Sequence, residues 1–208
     1  MLHIETVEPG TFSLLKRLME LPSLQAFSLI GGTALALRYG HRSSVDIDLF
    51  FHEKFDHLTI ENELRQVFGN DFFYESGHKQ FGIFCYIKKV KVDIVYFPHL
   101  PISNIDIQAG IRMYSSEDIG AMKIQAILGR GRKKDFWDLF ELLQHYSLEQ
   151  LIAFHSKKYP SQMLAISIPN AITYFIDAEE SETPVSFKKQ TWEGVKKEIS
   201  KAVRDYLS

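Results

Sequence analysis

The sequence predicts an α/β protein in which a mixed sheet with flanking helices is followed by a mainly helical C-terminal portion. Two segments alternate apolar and polar residues with period two, VDIDLF from Val45 and KVKVDIVYFP from Lys89, and this period is typical of β-strands. Beyond Ser115, the segments DIGAMKIQAIL and KDFWDLFELLQHY instead have the composition of an apolar and an amphipathic helix. We therefore expect a sheet domain over residues 1–110 and a helical domain over residues 111–208.

The elements of the predicted sheet domain follow from periodicity and from the residues that interrupt it. Pro22 breaks the first helical segment, and Pro98 ends the last long strand. The predicted elements in chain order are a helix at 10–28, a helix that begins near Thr33, a strand at 45–51, a helix at 58–69, strands at 71–75 and 81–89, and a strand that ends before Pro98. A connector follows, and its portion IDIQAGIRMYS is compatible with short strands.

The C-terminal portion is predicted to be helical except for one polar stretch. Ser115 or Ser116 is a suitable N-cap for a helix that ends near Leu128. The stretch EESETPVSF is polar and is interrupted by Pro184, so we expect an exposed loop there. Further helices are predicted at 134–146, 147–158, 161–166 and 191–207.

Two aspartates stand out in the first predicted strand. Asp46 and Asp48 lie two residues apart, so their side chains point to the same face of an extended chain. Two carboxylates so close repel each other and lose hydration if buried, and a divalent cation such as Mg²⁺, Mn²⁺ or Ca²⁺ stabilises that arrangement. The alternative is an ordinary strand with one solvated face, in which Val45, Ile47 and Leu49 are buried.

A third aspartate, Asp93, lies in the second alternating segment. If the two strands are neighbours in one sheet, Asp93 can join Asp46 and Asp48 in a cluster of three carboxylates. Such a cluster could hold two metal ions, one to activate an attacking oxygen and one to neutralise the phosphates of a nucleotide. The sequence alone leaves the adjacency of the strands open.

The glycine pair Gly31-Gly32 precedes the helix that we expect near Thr33. Glycines allow the backbone to approach a phosphate closely, and a helix N-terminus offers unpaired N–H groups and partial positive charge. The alternative is an ordinary turn in which Thr33 is only the N-cap. The aspartate pair that follows the glycines favours the phosphate-binding interpretation.

Together, the segments GGTALALRYGHRSSVDIDLFF, KVDIVYFP and AMKIQAILGRGRKKDFWDLFELL resemble the AbiEii/AbiGii nucleotidyltransferase family, and the similarity covers most of the chain. The resemblance implies a nucleotidyltransferase-like sheet and the transfer of a nucleotide from an NTP to an acceptor, with Mg²⁺ or Mn²⁺ as cofactor. Many relatives are toxins of toxin–antitoxin pairs, some thought to transfer nucleotides onto tRNA. A tRNA acceptor, an antitoxin protein and a role in a toxin–antitoxin or abortive-infection system are therefore expectations.

The resemblance also assigns roles to particular residues. Asp46, Asp48 and Asp93 are the expected metal ligands, and Lys123 is expected to act with them in catalysis. The expected nucleotide-binding residues are Gly31, Gly32, Thr33, Arg42, Ser44, Lys134, Asp135 and Asp138.

A basic segment, GRGRKKD, separates the first two helices of the C-terminal portion, and we call it the cationic turn; its basic residues are Arg130, Arg132, Lys133 and Lys134. It is either a solvated turn or a cationic rim for triphosphate or RNA phosphates. Lys123 lies on a largely apolar helix face, where a lysine either extends its ammonium to solvent or reaches a phosphate. Asp135 and Asp138 share a helix face, although Asp135 is also a natural first-turn acid.

Composition limits the classes of function. Basic residues number 24 and acidic residues 26, so RNA would have to be bound by a local patch. No apolar run approaches the roughly 18–20 residues that cross a membrane, and the segment MLHIETVEPG lacks the form of a secretory signal. The single cysteine, Cys85, lies in an apolar run. We therefore expect a cytoplasmic protein.

Three functions remain from the sequence. The first is a metal-dependent nucleotidyltransferase, and the presence of all three aspartates favours it. The second is a non-catalytic nucleotidyltransferase-like binding module. The third is a small-molecule (antibiotic) nucleotidyltransferase, which has the same chemistry and a different acceptor.

Overall fold

A computed structural model of the chain describes residues 1–74 and 81–208, and its centre is a seven-stranded mixed sheet with the order β3-β4-β5-β2-β1-β7-β6. The pairs β1/β7 and β2/β5 are parallel, and the other neighbours are antiparallel. The predicted α/β fold is confirmed. The strands are β1 (Ser28–Leu29), β2 (Ile47–Phe51), β3 (Phe72–Tyr74), β4 (Gly82–Ile87), β5 (Val90–Tyr96), β6 (Asp106–Gln108) and β7 (Ile111–Met113).

Helices precede, flank and follow the sheet. In the described part of the chain they are α1 (Pro9–Glu20), α2 (Gly31–Tyr39), α3 (His57–Phe68), α4 (Ser116–Gly129), α5 (Lys133–Leu142), α6 (Leu148–Lys158), α7 (Ile168–Ile172), α8 (Ile176–Glu179) and α9 (Trp192–Leu207). None of these helices has the length and apolar composition needed to cross a membrane. The predicted helical character of the C-terminal portion is confirmed.

The two long strands that carry the aspartates form the centre of the sheet. Because side chains alternate along a strand, Ile47, Leu49, Val92 and Ile94 all point into the core and are buried. The residues between them point to the opposite face. Apolar residues on one face thus fix the register, and the register brings the polar residues of the other face together.

Helix α4 begins where sequence predicts. The Ser115 hydroxyl accepts the N–H of Asp118 at 3.0 Å, which confirms the expected N-cap. The Asp118 carboxylate is fully buried and lies 2.6 Å from the Lys158 ammonium of α6, which is also fully buried. Asp118 also accepts the N–H of Ile102 at 3.0 Å. One buried ion pair therefore ties α4 to α6 and to the connector that follows β5.

The sheet and the helices share one hydrophobic core, to which both β7 and the C-terminal helices contribute buried residues. Strand β7 begins at Ile111 and pairs in parallel with β1, and the next residues lead directly into α4. The division into domains at residue 110 stays a prediction.

Two local predictions need correction. The helix expected at 161–166 is wrong: this segment is irregular, and Met163 is 95% exposed because it has no core to pack against. Helix α2 begins at Gly31 rather than near Thr33. The stretch EESETPVSF is exposed at Val185, as predicted, but its backbone is paired, because the carbonyl of Val185 accepts the N–H of Ser43 at 2.9 Å.

One predicted strand is described only in part. The strand expected at 71–75 is β3, which ends at Tyr74, and Glu75 lies outside the described residues.

Candidate active site

The N-terminus of α2 meets the carboxylate of Asp48. Gly31 has φ +71°, a left-handed conformation that favours glycine, and a Cβ there would lie 3.1 Å from Asp48 Oδ2. The N–H of Ile30 donates to the Asp48 carbonyl at 3.0 Å, so the residue before the helix is fixed to β2. The first N–H groups of a helix have no partner within it. They and the carboxylate therefore border the same space.

The strands of the two alternating segments are neighbours. Strands β2 and β5 pair in parallel with Asp48 directly opposite Asp93, so the adjacency that the sequence left open is confirmed. Asp46 immediately precedes β2, and its carboxylate lies 3.8 Å from the Lys134 ammonium. The three aspartates thus come from one small region on the polar face of the sheet.

The environment of Asp48 destabilises the ionised form of its carboxyl group. Burial, and secondarily the negative charge of Asp93, raise its pKa from 3.8 to about 6. In the part of the chain that the structure describes, Asp93 Oδ1 is buried and has no hydrogen-bond partner, whereas Asp93 Oδ2 contacts the Lys91 ammonium on the same strand. The site therefore holds more negative charge than its lysine neutralises.

Whether these residues fit a divalent cation can be tested on the same geometry. Among the described residues, no three acidic, histidine or cysteine side chains converge in a metal-binding group, and Asp93 is engaged by Lys91 instead. The donors nonetheless fit a hard cation such as Mg²⁺ or Mn²⁺: they are carboxylate oxygens, one is buried without a partner, and Asp48 is destabilised as an anion. Their roles as metal ligands stay predictions.

A buried charge network supports the site from behind. Asp138 is fully buried, and its two carboxylate oxygens accept from Arg42 Nε and Nη2, each at 2.7 Å. His41 Nε2 lies 2.7 Å from the same carboxylate. Burial by itself would raise the pKa of Asp138, but the charges of Arg42 and Lys123 hold that pKa well below its ordinary value. Asp138 is therefore a fixed anion that positions Arg42.

Lys123 lies between this network and the pocket. Its ammonium is 2.9 Å from Asp135 Oδ1 and 2.7 Å from Asp138 Oδ2. Burial alone would lower its pKa, but the two carboxylates raise it above its ordinary value, so the lysine is charged. An ammonium has three N–H donors, and these two contacts leave one for a ligand.

The loop between α2 and β2 is held by Thr33. This side chain is buried inside α2, donates to the carbonyl of Asp46, and lies 2.8 Å from the Ser44 hydroxyl. At Gly32 a Cβ would overlap the Arg42 guanidinium, which Asp138 holds in place. Thr33 and Gly32 therefore shape the site through neighbouring residues.

These elements enclose a pocket of about 260 Å³. Nine of the predicted site residues line it: Gly31, Gly32, Arg42, Ser44, Asp46, Asp48, Lys123, Lys134 and Asp135. The other three do not: Thr33 and Asp138 lie behind the lining, and Asp93 lies beside Asp48 on the next strand.

Sequence reasoning missed several neighbours of the site. Phe50 lines the pocket, and its place two residues after Asp48 on the same strand face was a usable signal. Met122 and Ala126 also line it, four residues apart on α4. Lys91, which engages Asp93, could have been found by the same period-two argument.

Comparisons with known proteins agree with this geometry. A family model described as "Nucleotidyl transferase AbiEii toxin, Type IV TA system" matches residues 13–159. An uncharacterized protein of Aquifex aeolicus (strain VF5) is 35% identical over 199 residues, which are 93% of this chain and 94% of that protein.

Two solved structures show the same fold. JHP933 of Helicobacter pylori superposes with a TM-score of 0.57 at 19% identity, covering 95% of this chain and 92% of that one. The nucleotidyltransferase toxin MenT4 of Mycobacterium tuberculosis H37Rv also gives a TM-score of 0.57, at 13% identity, covering 95% of this chain and 86% of that one.

Proposed function

The chain belongs to the AbiEii nucleotidyltransferase toxin family of type IV toxin–antitoxin systems, and on that premise we propose how its pocket is used. An NTP would bind in the pocket, where Asp46, Asp48 and Asp93 would hold Mg²⁺ or Mn²⁺. A hydroxyl of an acceptor that approaches along β5 would bond to the α-phosphorus of the NTP as the bond from that phosphorus to the pyrophosphate breaks, so the nucleotide passes to the acceptor and pyrophosphate leaves. The observation that carries the proposal is the pairing of Asp93 with Asp48, which lines a pocket that is also lined by two lysines.

The triphosphate would bind at the cationic side of this pocket. The first turn of α2 offers N–H groups, and Gly31 has no Cβ to obstruct a phosphate. Lys123 has one donor free, and Lys134 is partly exposed beside Asp46. Asp135 and Asp138 keep Lys123 protonated and in place, so their proposed contribution to nucleotide binding is indirect.

Chemistry would take place at the carboxylate side. A bound divalent cation supplies positive charge that stabilises the phosphoryl-transfer transition state. Asp48 and Asp46 orient toward that charge, and Asp93 lies on the side from which an acceptor hydroxyl can arrive, where it accepts a hydrogen bond or the proton of that hydroxyl. Arg42 stays fixed to Asp138 and gives the pocket a rigid positive wall.

For the biological setting, we propose that the acceptor is tRNA and that the partner is the cognate antitoxin. A toxin of this family implies a nucleotide substrate and an antitoxin. The cationic turn supports an RNA acceptor, because Arg130 and Lys134 line the pocket and both Arg130 and Arg132 are exposed.

Two measurements test the proposal. Calorimetry with each of the four NTPs, with and without Mg²⁺, should give heat that depends on the metal. Incubation of the protein with labelled NTP and total tRNA should transfer the label to RNA. Lys123→Met should weaken both NTP binding and transfer of the label. Lys197→Met, on α9, is a matched lysine control.

Each alternative function predicts a different pattern. NTP binding without transfer to any acceptor would support the non-catalytic binding module. Transfer to an aminoglycoside and not to RNA would support the small-molecule enzyme. The absence of metal-dependent NTP binding would refute the proposal.

A further inference from the structure

The polar face of the sheet carries a row of aromatic side chains that starts beside the carboxylates. In the register of the sheet, Asp48 lies opposite Asp93, and Asp93 lies opposite Phe84 of β4. Side chains opposite one another on neighbouring strands share a face. The first aromatic ring of this row is therefore that of Phe84. It lies on β4, whose backbone is about 5 Å from the backbone of β5, the strand that carries Asp93.

A second row continues this surface away from the pocket. Lys91 of β5 lies opposite Tyr86 of β4, and Tyr86 lies opposite Phe73 of β3. Tyr86 is 38% exposed and Phe73 is 64% exposed. Exposing two adjacent aromatic rings to solvent at a sheet edge is unfavourable in free energy, unless a ligand covers them. We call Phe73 and Tyr86 the aromatic platform.

Two exposed lysines lie at the far end of the platform, next to the exposed Asp71, whose carbonyl accepts the N–H of Lys88 at 3.0 Å. The hairpin between β4 and β5 turns at Lys88 and Lys89, both exposed and both in the left-handed conformation, with φ 51° and φ 67°. Glycine or asparagine adopts this conformation with less strain. The chain therefore places two lysines at positions where the backbone favours other residues, whereas Lys91 on the same hairpin is engaged by Asp93.

We propose that the aromatic platform stacks the unpaired terminal bases of a single-stranded nucleic acid acceptor, with Lys88 and Lys89 at its phosphates. Aromatic side chains on an open sheet face stack bases with little regard to sequence, and nearby lysines bind the backbone. Tyr86 lies opposite Lys91, whose ammonium contacts Asp93, so a terminal nucleotide stacked on Tyr86 would have its ribose near the carboxylate where the proposed transfer takes place. The inference rests on the proposed function, because it names the surface that binds the acceptor of that same site.

Binding of a fluorescein-labelled single-stranded RNA oligonucleotide, followed by anisotropy at low salt, tests the platform directly. Tyr86→Leu and Phe73→Leu keep apolar bulk but remove the aromatic ring, and each should weaken binding roughly 5- to 100-fold. Tyr86→Trp should bind at least as tightly as the wild type. Tyr206→Leu, at another exposed tyrosine on α9, is the matched control and should bind normally.

Two further readouts separate stacking from damage to the fold or to the pocket. The leucine variants should keep the wild-type melting temperature, since both side chains are exposed. They should also keep the wild-type Kd for NTP with Mg²⁺, while the KM for the RNA acceptor rises and kcat stays close to normal. A matched DNA oligonucleotide shows whether the platform distinguishes RNA from DNA, and a duplex should bind more weakly than either single strand.

Several results would overturn the platform. Wild-type affinity in both leucine variants, or an equal loss in the control, excludes stacking at this surface. Concentration-dependent self-association that the variants abolish would assign the face to a second copy of the chain. Transfer of nucleotide to a small acceptor, with no RNA binding, refutes the platform and leaves the nucleotidyltransferase function standing. A protein that binds the oligonucleotide on the platform but binds no NTP refutes the proposed function instead.

Discussion

Replacement of Asp48 by asparagine should raise stability and abolish activity. Burial and the charge of Asp93 raise the pKa of Asp48 from 3.8 to about 6 in the folded protein. A carboxyl group whose pKa is higher in the folded state than in the unfolded state destabilises the fold above that pKa. Asparagine is nearly isosteric and carries no charge, so Asp48→Asn removes the penalty.

The magnitude follows from the pKa difference. At about 1.36 kcal/mol per pKa unit, a shift of about two units corresponds to about 3 kcal/mol at neutral pH. The neutral amide still needs hydrogen-bond partners, so we expect a net gain of about 1–2 kcal/mol, or about 2–8 °C in melting temperature for a chain of this size.

The pH dependence gives an internal check. The folded protein binds a proton at Asp48 between pH 3.8 and about 6, where the unfolded chain does not, so this group destabilises the wild type as the pH rises through that window. The difference in stability between Asp48→Asn and the wild type should therefore be full at pH 7 and vanish near pH 4. Thermal denaturation in EDTA at several pH values measures it.

Stabilisation by Mg²⁺ and transfer activity are the two remaining measurements on Asp48→Asn. Mg²⁺ should raise the melting temperature of the wild type more than that of Asp48→Asn, and transfer of labelled nucleotide by the variant should fall to background. A matched control is Asp56→Asn, at an exposed helix N-cap that does not line the pocket, which should lose a little stability and keep activity. The assignment of Asp48 fails if Asp48→Asn unfolds the protein or retains full transfer.

Two further substitutions test the pocket and the buried charge network behind it, and a labelling reaction tests the burial of Cys85. Gly31→Ala should lower stability by about 1–2 kcal/mol and weaken NTP binding, because φ is +71° and the new Cβ would crowd Asp48; calorimetry and denaturation with urea measure both, and normal values would contradict the close approach. Asp138→Ala should cost about 3–5 kcal/mol in urea unfolding, because it leaves Arg42 buried without its carboxylate; a loss below about 1 kcal/mol would show that water replaces the contact. Burial raises the pKa of the Cys85 thiol to about 12, so a thiol reagent should label it only as fast as the protein unfolds, and rapid labelling of the native protein would refute its burial.

Local sequence patterns determined most of the fold. Period-two alternation identifies β2 and β5 because one face of each must be buried, and an N-cap serine identifies the start of α4 because its hydroxyl accepts a backbone N–H. The same reasoning failed at 161–166, where apolar residues lie in a segment that has no core to pack against. Periodicity reports what a segment could bury, and not whether a partner is present.

The candidate site likewise has features that the sequence predicted and features that only the tertiary structure decided. Sequence placed Asp46 and Asp48 on one strand face, because that statement depends on spacing along a single element, whereas the role expected of Lys123 came from the family resemblance. Only the tertiary structure paired Asp48 with Asp93, since strand order is set by packing between segments that are distant in the chain. Whether a predicted residue lines the pocket or supports it from behind, as Asp138 does through Arg42, is likewise decided by packing, because burial depends on every neighbouring element at once.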